Sequence, residues 1–87
     1  MNYPENWQEE NNFLTRIFKF NNFVEAIDFV NKIVPLAEEA NHHPDIDIFG
    51  YNQVKIKLTS HDAGNKITDK DIKLASKINE CLTFTKE

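Results

Sequence analysis

Three histidines are the side chains of this sequence best suited to proton-transfer chemistry. His42 and His43 are adjacent and precede Pro44, and His61 follows further along the chain. Histidine titrates near neutral pH, so one imidazole can act as an acid while another acts as a base. Glu38 lies one helical turn before His42, where its carboxylate could orient or charge that imidazole. The three histidines therefore form a candidate acid–base site.

The spacing of a predicted hairpin brings these histidines together. Gly50 to Asn52 is a turn signal, and in an antiparallel pair closing there, opposite residues have numbers that sum to about 101–103. His61 therefore returns to the end of the sheet where His42 and His43 lie. Those two also follow the end of a predicted helix, where the dipole favours a charged imidazolium. One histidine can then be charged while another is neutral.

Other interpretations fit the same residues. A pair of histidines before a proline is commonly a solvated helix end. A metal site is disfavoured, because adjacent residues of an extended segment point to opposite faces and no Cys or His-x3-His pair accompanies His42 and His43. Nucleophilic catalysis is weaker still, since Ser60 and His61 should diverge along a strand and Cys81 falls on a helix face expected to be buried.

Hydrophobic periodicity predicts a hairpin and a long helix in the first half of the chain. A polar strand near Trp7, a turn at Asn11 and Asn12, and alternation over residues 14–20 predict a hairpin. Asn22 then starts a helix in a capping-box-like pattern, and apolar residues recur at helical spacing as far as residue 40. We expect Pro35 to kink this helix. Asn41, ahead of Pro44, is a suitable left-handed terminator.

The sequence pattern of the second half of the chain predicts another hairpin and a second helix. Residues 45–49 form a short extended run, and residues 53–59 alternate apolar and polar side chains at the strand period. Thr68, with Asp71 three residues later, caps a final helix. The order β-β-α-β-β-α predicts an α+β fold, with a four-stranded antiparallel sheet and two helices packed on one face.

Size and composition limit the kind of protein this can be. The 87 residues correspond to one small domain, 1–87, whose thin core makes self-association a natural source of stability. A net charge of −4 argues against direct nucleic-acid binding. The single cysteine cannot form an intrachain disulfide, and no apolar run reaches the length of a membrane span. We therefore expect a cytoplasmic protein without membrane contact.

Several motifs of this sequence resemble those of the pterin-4a-carbinolamine dehydratase family. The first is AE-x-x-x-HHP over residues 37–44, and the second is LTSHDAG over residues 58–64. A third matching run, residues 68–71 with Leu74 and Ala75, lies at the start of the last helix. The resemblance extends over about residues 18–78, which is most of the chain.

This resemblance implies a lyase that dehydrates 4a-hydroxytetrahydropterin to the quinonoid dihydropterin, in the recycling of tetrahydrobiopterin. It implies no metal and no organic cofactor. His42, His43 and His61 match the three active-site histidines of the family. The candidate substrate-binding positions within the matching motifs are Glu38, Asn41, Thr59, Ser60 and Asp71.

The sequence also departs from the family pattern. Family members usually carry a helix before the first strand, and we expect that N-terminal helix to be missing here, since the chain starts almost at Trp7. Pro35 in the long helix and Ile46 after the HHP motif depart from common versions. Two alternatives stay open: a non-catalytic protein-interaction module and a molybdopterin-related role. We expect a homodimer or homotetramer, formed through helix or edge-strand contacts.

Overall fold

The computed structural model describes residues 2–85, with side chains as far as Leu82. Its element order confirms the predicted α+β fold. The elements are β1 (Gln8–Glu10), β2 (Phe13–Lys19), α1 (Phe23–Ala40), β3 (Asp45–Phe49), β4 (Gln53–Leu58), a one-turn 3-10 helix (His61–Ala63) and α2 (Asp69–Thr85). No helix within residues 2–85 combines the length and apolarity needed to cross a membrane.

The four strands form one antiparallel sheet in the order β1-β2-β4-β3. Asn11 and Asn12 close the first hairpin with φ angles of 51° and 70°, a left-handed conformation that asparagine tolerates well. In the second hairpin Asp45 pairs with Lys57 and every pair has numbers that sum to 102. This register agrees with the one expected from the turn.

Helix α1 has a defined cap at each end. The side chain of Asn22 accepts a 2.8 Å hydrogen bond from the backbone N–H of Glu25, and the Glu25 carboxylate accepts one from Asn21 N–H. Asn41 ends the helix in the left-handed conformation, with φ 51° and ψ 44°, and its N–H reaches the carbonyls of Ala37 and Glu38. The helix continues through Pro35 as a single element.

The hydrophobic core lies between the helices and one face of the sheet. Phe29 of α1 is fully buried, and its ring lies 4.6 Å from that of Phe18 and 5.0 Å from that of Phe20, measured between centroids. The buried side chains that surround this aromatic group are Leu14, Ala26, Ile33, Val54, Ile56, Leu58, Leu74, Ala75 and Ile78. Burial of this apolar surface fixes how α2 lies against the sheet.

The segment before β1 is attached to α2. Indole Nε1 of Trp7 donates a 2.9 Å hydrogen bond to Oδ1 of Asn79, and Nη1 of Arg16 donates to the same oxygen at 2.6 Å. The Arg16 guanidinium also lies 4.4 Å from the centroid of the Phe18 ring. Partial burial lowers the pKa of Arg16. These contacts link the N-terminal segment, β2 and α2.

Candidate active site

His42 is held by a buried carboxylate from a distant part of the chain. It follows the left-handed residue Asn41, and its backbone N–H still reaches the carbonyl of Ala37 at 3.1 Å. Its ring nitrogen Nε2 lies 2.6 Å from Oδ1 of Asp71. The expectation that Glu38 would orient His42 is wrong, because the left-handed turn at Asn41 ends the helical spacing before His42.

Asp71 is fully buried in the first turn of α2, with both carboxylate oxygens hydrogen-bonded. Oδ1 faces His42, while Oδ2 accepts a 2.9 Å hydrogen bond from Oγ of Ser60 and a 2.8 Å bond from the backbone N–H of Thr68. The N-terminal end of a helix also stabilises a negative charge. The carboxylate of Asp71 is therefore held on both sides, and it fixes the orientation of His42.

Thr59 and Ser60, two of the expected substrate-binding residues, use their hydroxyl groups within the fold. Thr59 is 4% exposed, and its Oγ1 donates a 3.0 Å hydrogen bond to the carbonyl of Asn12. Ser60 is 1% exposed, and its Oγ lies 2.7 Å from Oγ1 of Thr68 as well as bonding to Asp71. Both residues therefore anchor the chain beside the histidines.

His43 lies on the surface beside Glu38. Nε2 of His43 is 2.6 Å from Oε2 of Glu38, and the two side chains are 58% and 68% exposed. Glu38, which was expected to pair with His42, therefore pairs with the adjacent His43. This pair is open to solvent, whereas the His42–Asp71 pair is almost enclosed, so the two adjacent histidines have different environments.

His61 begins the one-turn 3-10 helix after β4, rather than continuing a strand. Its ring nitrogen Nδ1 lies 2.7 Å from Oδ1 of Asn65, and both side chains are exposed. Asn65 was not among the residues predicted for the site. The separation of four residues between a histidine and an amide, within a turn containing Gly64, was the signal that could have identified the contact.

The loop that carries His61 also interacts with α2. Nζ of Lys70 donates a 2.9 Å hydrogen bond to Oδ2 of Asp62. This hydrogen bond, and then the charge of Lys70, lower the pKa of Asp62, and the charge of His42 adds to the shift in the same direction. His42 therefore acts electrostatically on the residue next to His61.

Two contacts connect the segments that carry His42 and His61. His42 and Ser60 bond to opposite oxygens of one carboxylate, and Ser60 is the residue directly before His61. Imidazoles placed in this way can donate and accept protons, and a carboxylate partner stabilises the imidazolium form. Within residues 2–85, no three His, Cys, Asp or Glu side chains are grouped so that they could hold a metal ion.

Comparison with known proteins identifies the family. The family model described as pterin 4 alpha carbinolamine dehydratase matches residues 1–81. This chain belongs to that family. The match includes α1, both hairpins and most of α2, and it contains each residue of the candidate site.

Other members of this family share about half of their residues with the chain. A protein of Sulfurisphaera tokodaii with the name "Putative pterin-4-alpha-carbinolamine dehydratase" is 47% identical over 83 residues, covering 95% of this chain and 87% of its own. A protein of Picosynechococcus sp. with the same name is 54% identical over 78 residues, covering 90% of this chain and 82% of its own.

Solved structures of similar proteins agree with the fold. The transcriptional coactivator/pterin dehydratase from Brucella melitensis superposes with a TM-score of 0.80 at 35% identity, covering 88% of this chain and 82% of its own. A pterin dehydratase-like protein described as a RuBisCO assembly factor in the alpha-carboxysome gives a TM-score of 0.68 at 22% identity, covering 86% and 84%. The second similarity concerns the fold alone.

Proposed function

We propose that this protein is a 4a-hydroxytetrahydrobiopterin dehydratase, in which residues 1–87 act as one catalytic domain in tetrahydrobiopterin recycling. The observation that carries the proposal is the 2.6 Å contact between His42 and the buried Asp71, in a chain that belongs to the pterin carbinolamine dehydratase family. Burying a carboxylate away from water costs free energy, and a histidine with only a structural role gains little from such a partner. An acid–base catalyst benefits, because the carboxylate fixes the orientation of its imidazole.

The proposed reaction is an elimination of water. The C4a–O bond of the carbinolamine breaks and the hydroxyl group leaves as water after receiving a proton from an acid. A base removes the proton from N5, and the electron pair of the N5–H bond forms the N5–C4a double bond of the quinonoid product. Atoms and electrons balance without an oxidant or a cofactor. Two imidazoles of different protonation state can supply both proton transfers.

The three histidines have different proposed roles. His42 and His61 exchange the protons, because His42 has an enclosed carboxylate partner and His61 follows Ser60, which bonds to the same carboxylate. His43 chiefly holds the pterin, since it is exposed and paired with the exposed Glu38. Asp71 positions His42. Asn41, Thr59 and Ser60 complete the proposed binding region, Thr59 and Ser60 mainly through the backbone that their buried side chains fix.

An assay of dehydration tests this function directly. A 4a-hydroxytetrahydropterin is generated chemically, and its conversion is followed by ultraviolet absorbance with and without the protein. We expect acceleration by the wild-type protein, and a loss of roughly 10²- to 10⁴-fold in His42→Ala and in His61→Ala. Circular dichroism checks that each variant is folded. No acceleration by the folded wild-type protein would exclude the enzyme and favour the interaction module or a molybdopterin-related role.

We also propose that the protein is a homodimer or a homotetramer. On α1, Phe23, Val24 and Val34 are 52%, 66% and 50% exposed, and Phe23 and Val34 lie about three turns apart on one side of the helix. At the sheet edge, Ile46 of β3 is 38% exposed. A second copy that covers the α1 residues would remove this apolar surface from water, at about 25 cal/mol per Å².

A further inference from the structure

We propose that Asn65 is a positioning residue for His61, fixing the tautomer and the direction of its imidazole. The expected effect of Asn65 on kcat rests on the proposed dehydratase function, whereas its effect on the His61 tautomer depends only on the contact between the two side chains. Oδ1 of Asn65 lies 2.7 Å from Nδ1 of His61. Asn65 touches no reacting atom in this proposal and acts only through His61.

The chemistry of the contact determines the position of the proton. An amide oxygen accepts hydrogen bonds and cannot donate them, so Nδ1 of His61 carries the hydrogen. In a neutral imidazole the other nitrogen, Nε2, then has the free lone pair. Nε2 is therefore the atom of His61 that can accept the N5 proton. Without Asn65, the exposed ring could take either tautomer.

Asn65 is itself held firmly enough to orient a neighbour. Its φ is 62°, a left-handed conformation, and its backbone N–H donates a 3.0 Å hydrogen bond to the carbonyl of Ser60. Ser60 N–H in turn donates to the carbonyl of Lys66 at 2.9 Å, which closes the loop on either side of Asn65. Asparagine is one of the few residues that combine this backbone conformation with a side-chain acceptor.

The same serine connects the two proposed proton-transfer residues. Ser60 bonds to Asp71 through its side chain and to Asn65 through its carbonyl, and Asp71 bonds to His42. The two imidazoles are thus anchored through opposite ring nitrogens, Nε2 in His42 and Nδ1 in His61. Nδ1 of His42 and Nε2 of His61 form no hydrogen bond to any side chain described within residues 2–82.

The chemical difference between the two anchors gives them different effects. Asp71 is a buried carboxylate that can form an ion pair with an imidazolium, whereas the Asn65 amide is neutral and accepts a hydrogen bond from Nδ1–H in either protonation state of the ring. Asp62, the residue after His61, is paired with Lys70 from α2, and the charge of His42 acts on Asp62. A neutral anchor leaves His61 able to start the reaction as a base.

Substitution by glycine isolates the side chain from the backbone. Asn65→Gly removes the amide but accepts the left-handed conformation, so the loop keeps its shape. Asn65→Asp also tolerates this conformation and retains an oxygen acceptor. These variants are compared with wild type by ¹⁵N nuclear magnetic resonance of the histidine rings, recorded without substrate, and by the dehydration assay.

We expect the Nδ1–H tautomer for neutral His61 in the wild type and in Asn65→Asp, and a mixture of tautomers in Asn65→Gly. We expect kcat of Asn65→Gly to fall about 2- to 10-fold, the value of one neutral hydrogen bond, with KM little changed. A wild-type His61 protonated at Nε2, or an Asn65→Gly protein with unchanged tautomer and kcat, would overturn the proposal. An inactive wild type that shows the Nδ1–H tautomer would contradict the dehydratase function but support the positioning by Asn65.

Discussion

Nε2 of His42 lies 2.6 Å from Oδ1 of Asp71, and the carboxylate is fully buried while 11% of the imidazole side chain stays exposed. The second oxygen of Asp71 is occupied by Ser60 and by the backbone of Thr68. The carboxylate therefore cannot turn away from His42 without breaking hydrogen bonds inside the fold. This arrangement makes Asp71 a fixed partner for the histidine rather than a mobile surface charge.

Replacing Asp71 by Asn tests this partnership. Asparagine has the same shape and can still accept hydrogen bonds from Ser60 and Thr68, but it removes the negative charge that faces Nε2 of His42. Losing a hydrogen bond to a charged group costs about 1.5–3 kcal/mol, so we expect kcat to fall roughly 10- to 100-fold. Ser60→Ala removes one hydrogen bond to Asp71 and leaves the charge, so a larger loss of kcat in Asp71→Asn than in Ser60→Ala measures the effect of the charge itself. Equal kcat values for Asp71→Asn and wild type would show that the charge is not used.

The two adjacent histidines should respond differently to the same substitution. His43 and Glu38 are exposed, and an exposed ion pair stabilises a protein by about 0–1 kcal/mol, so His43→Gln should leave the melting temperature almost unchanged. Its main effect should be a higher KM, because His43 is proposed to hold the pterin. His42→Gln should lower kcat strongly and also reduce stability, since it alters the partner of a buried carboxylate. The reverse pattern would exchange the two assigned roles.

The role of Asn41 can be divided between backbone and side chain. Its left-handed conformation, with φ 51°, costs an alanine about 1–2 kcal/mol but costs glycine little. We therefore expect Asn41→Ala to lower the free energy of unfolding by about 1–2 kcal/mol in urea denaturation, and Asn41→Gly to change it much less. If the side chain also binds pterin, KM rises in both variants. An unchanged KM in Asn41→Gly would limit Asn41 to ending the helix.

Assembly through α1 predicts that a charge at Val34 separates the subunits. Val34 is 50% exposed, so Val34→Glu should fold normally, but a carboxylate would have to be desolvated in the interface. Sedimentation equilibrium at equal concentrations should give a lower mass for this variant than for wild type. Ser76→Glu, at an exposed position of α2, introduces the same charge and serves as the control. If both variants retain the wild-type mass, contact through the edge of β3 is favoured instead.

Cys81 should react slowly with thiol reagents at mildly alkaline pH. Burial raises its pKa, so the folded protein holds less thiolate than the unfolded chain at the same pH. Reaction with a thiol reagent at pH 8 should be several-fold slower in the native protein than in guanidinium chloride, and Cys81→Ser should not react. Because burial favours the protonated thiol, its contribution to the free energy of unfolding is present below the unfolded pKa of about 8.5. It is lost as the pH rises through the higher pKa of the folded state. Equal native and unfolded rates would contradict this.

Local signals in the sequence determined most of the fold. The Asn22 cap, the left-handed Asn41 and the turn at residues 50–52 depend on neighbouring residues, so the element order and the register of the second hairpin could be predicted. The resemblance of the HHP and SHDAG motifs also led to the family that comparison with known proteins identified. These features are fixed by interactions over a few residues.

The partners of the histidines were decided only by the tertiary structure. Helical spacing placed Glu38 beside His42, but the left-handed turn at Asn41 directs His43 to Glu38 and turns His42 toward Asp71. Asp71 reaches His42 because apolar burial sets the position of α2 against the sheet, and no local pattern specifies a contact between residues so far apart in sequence. The bond from His61 to Asn65 likewise depends on how Ser60 and Lys66 close their loop.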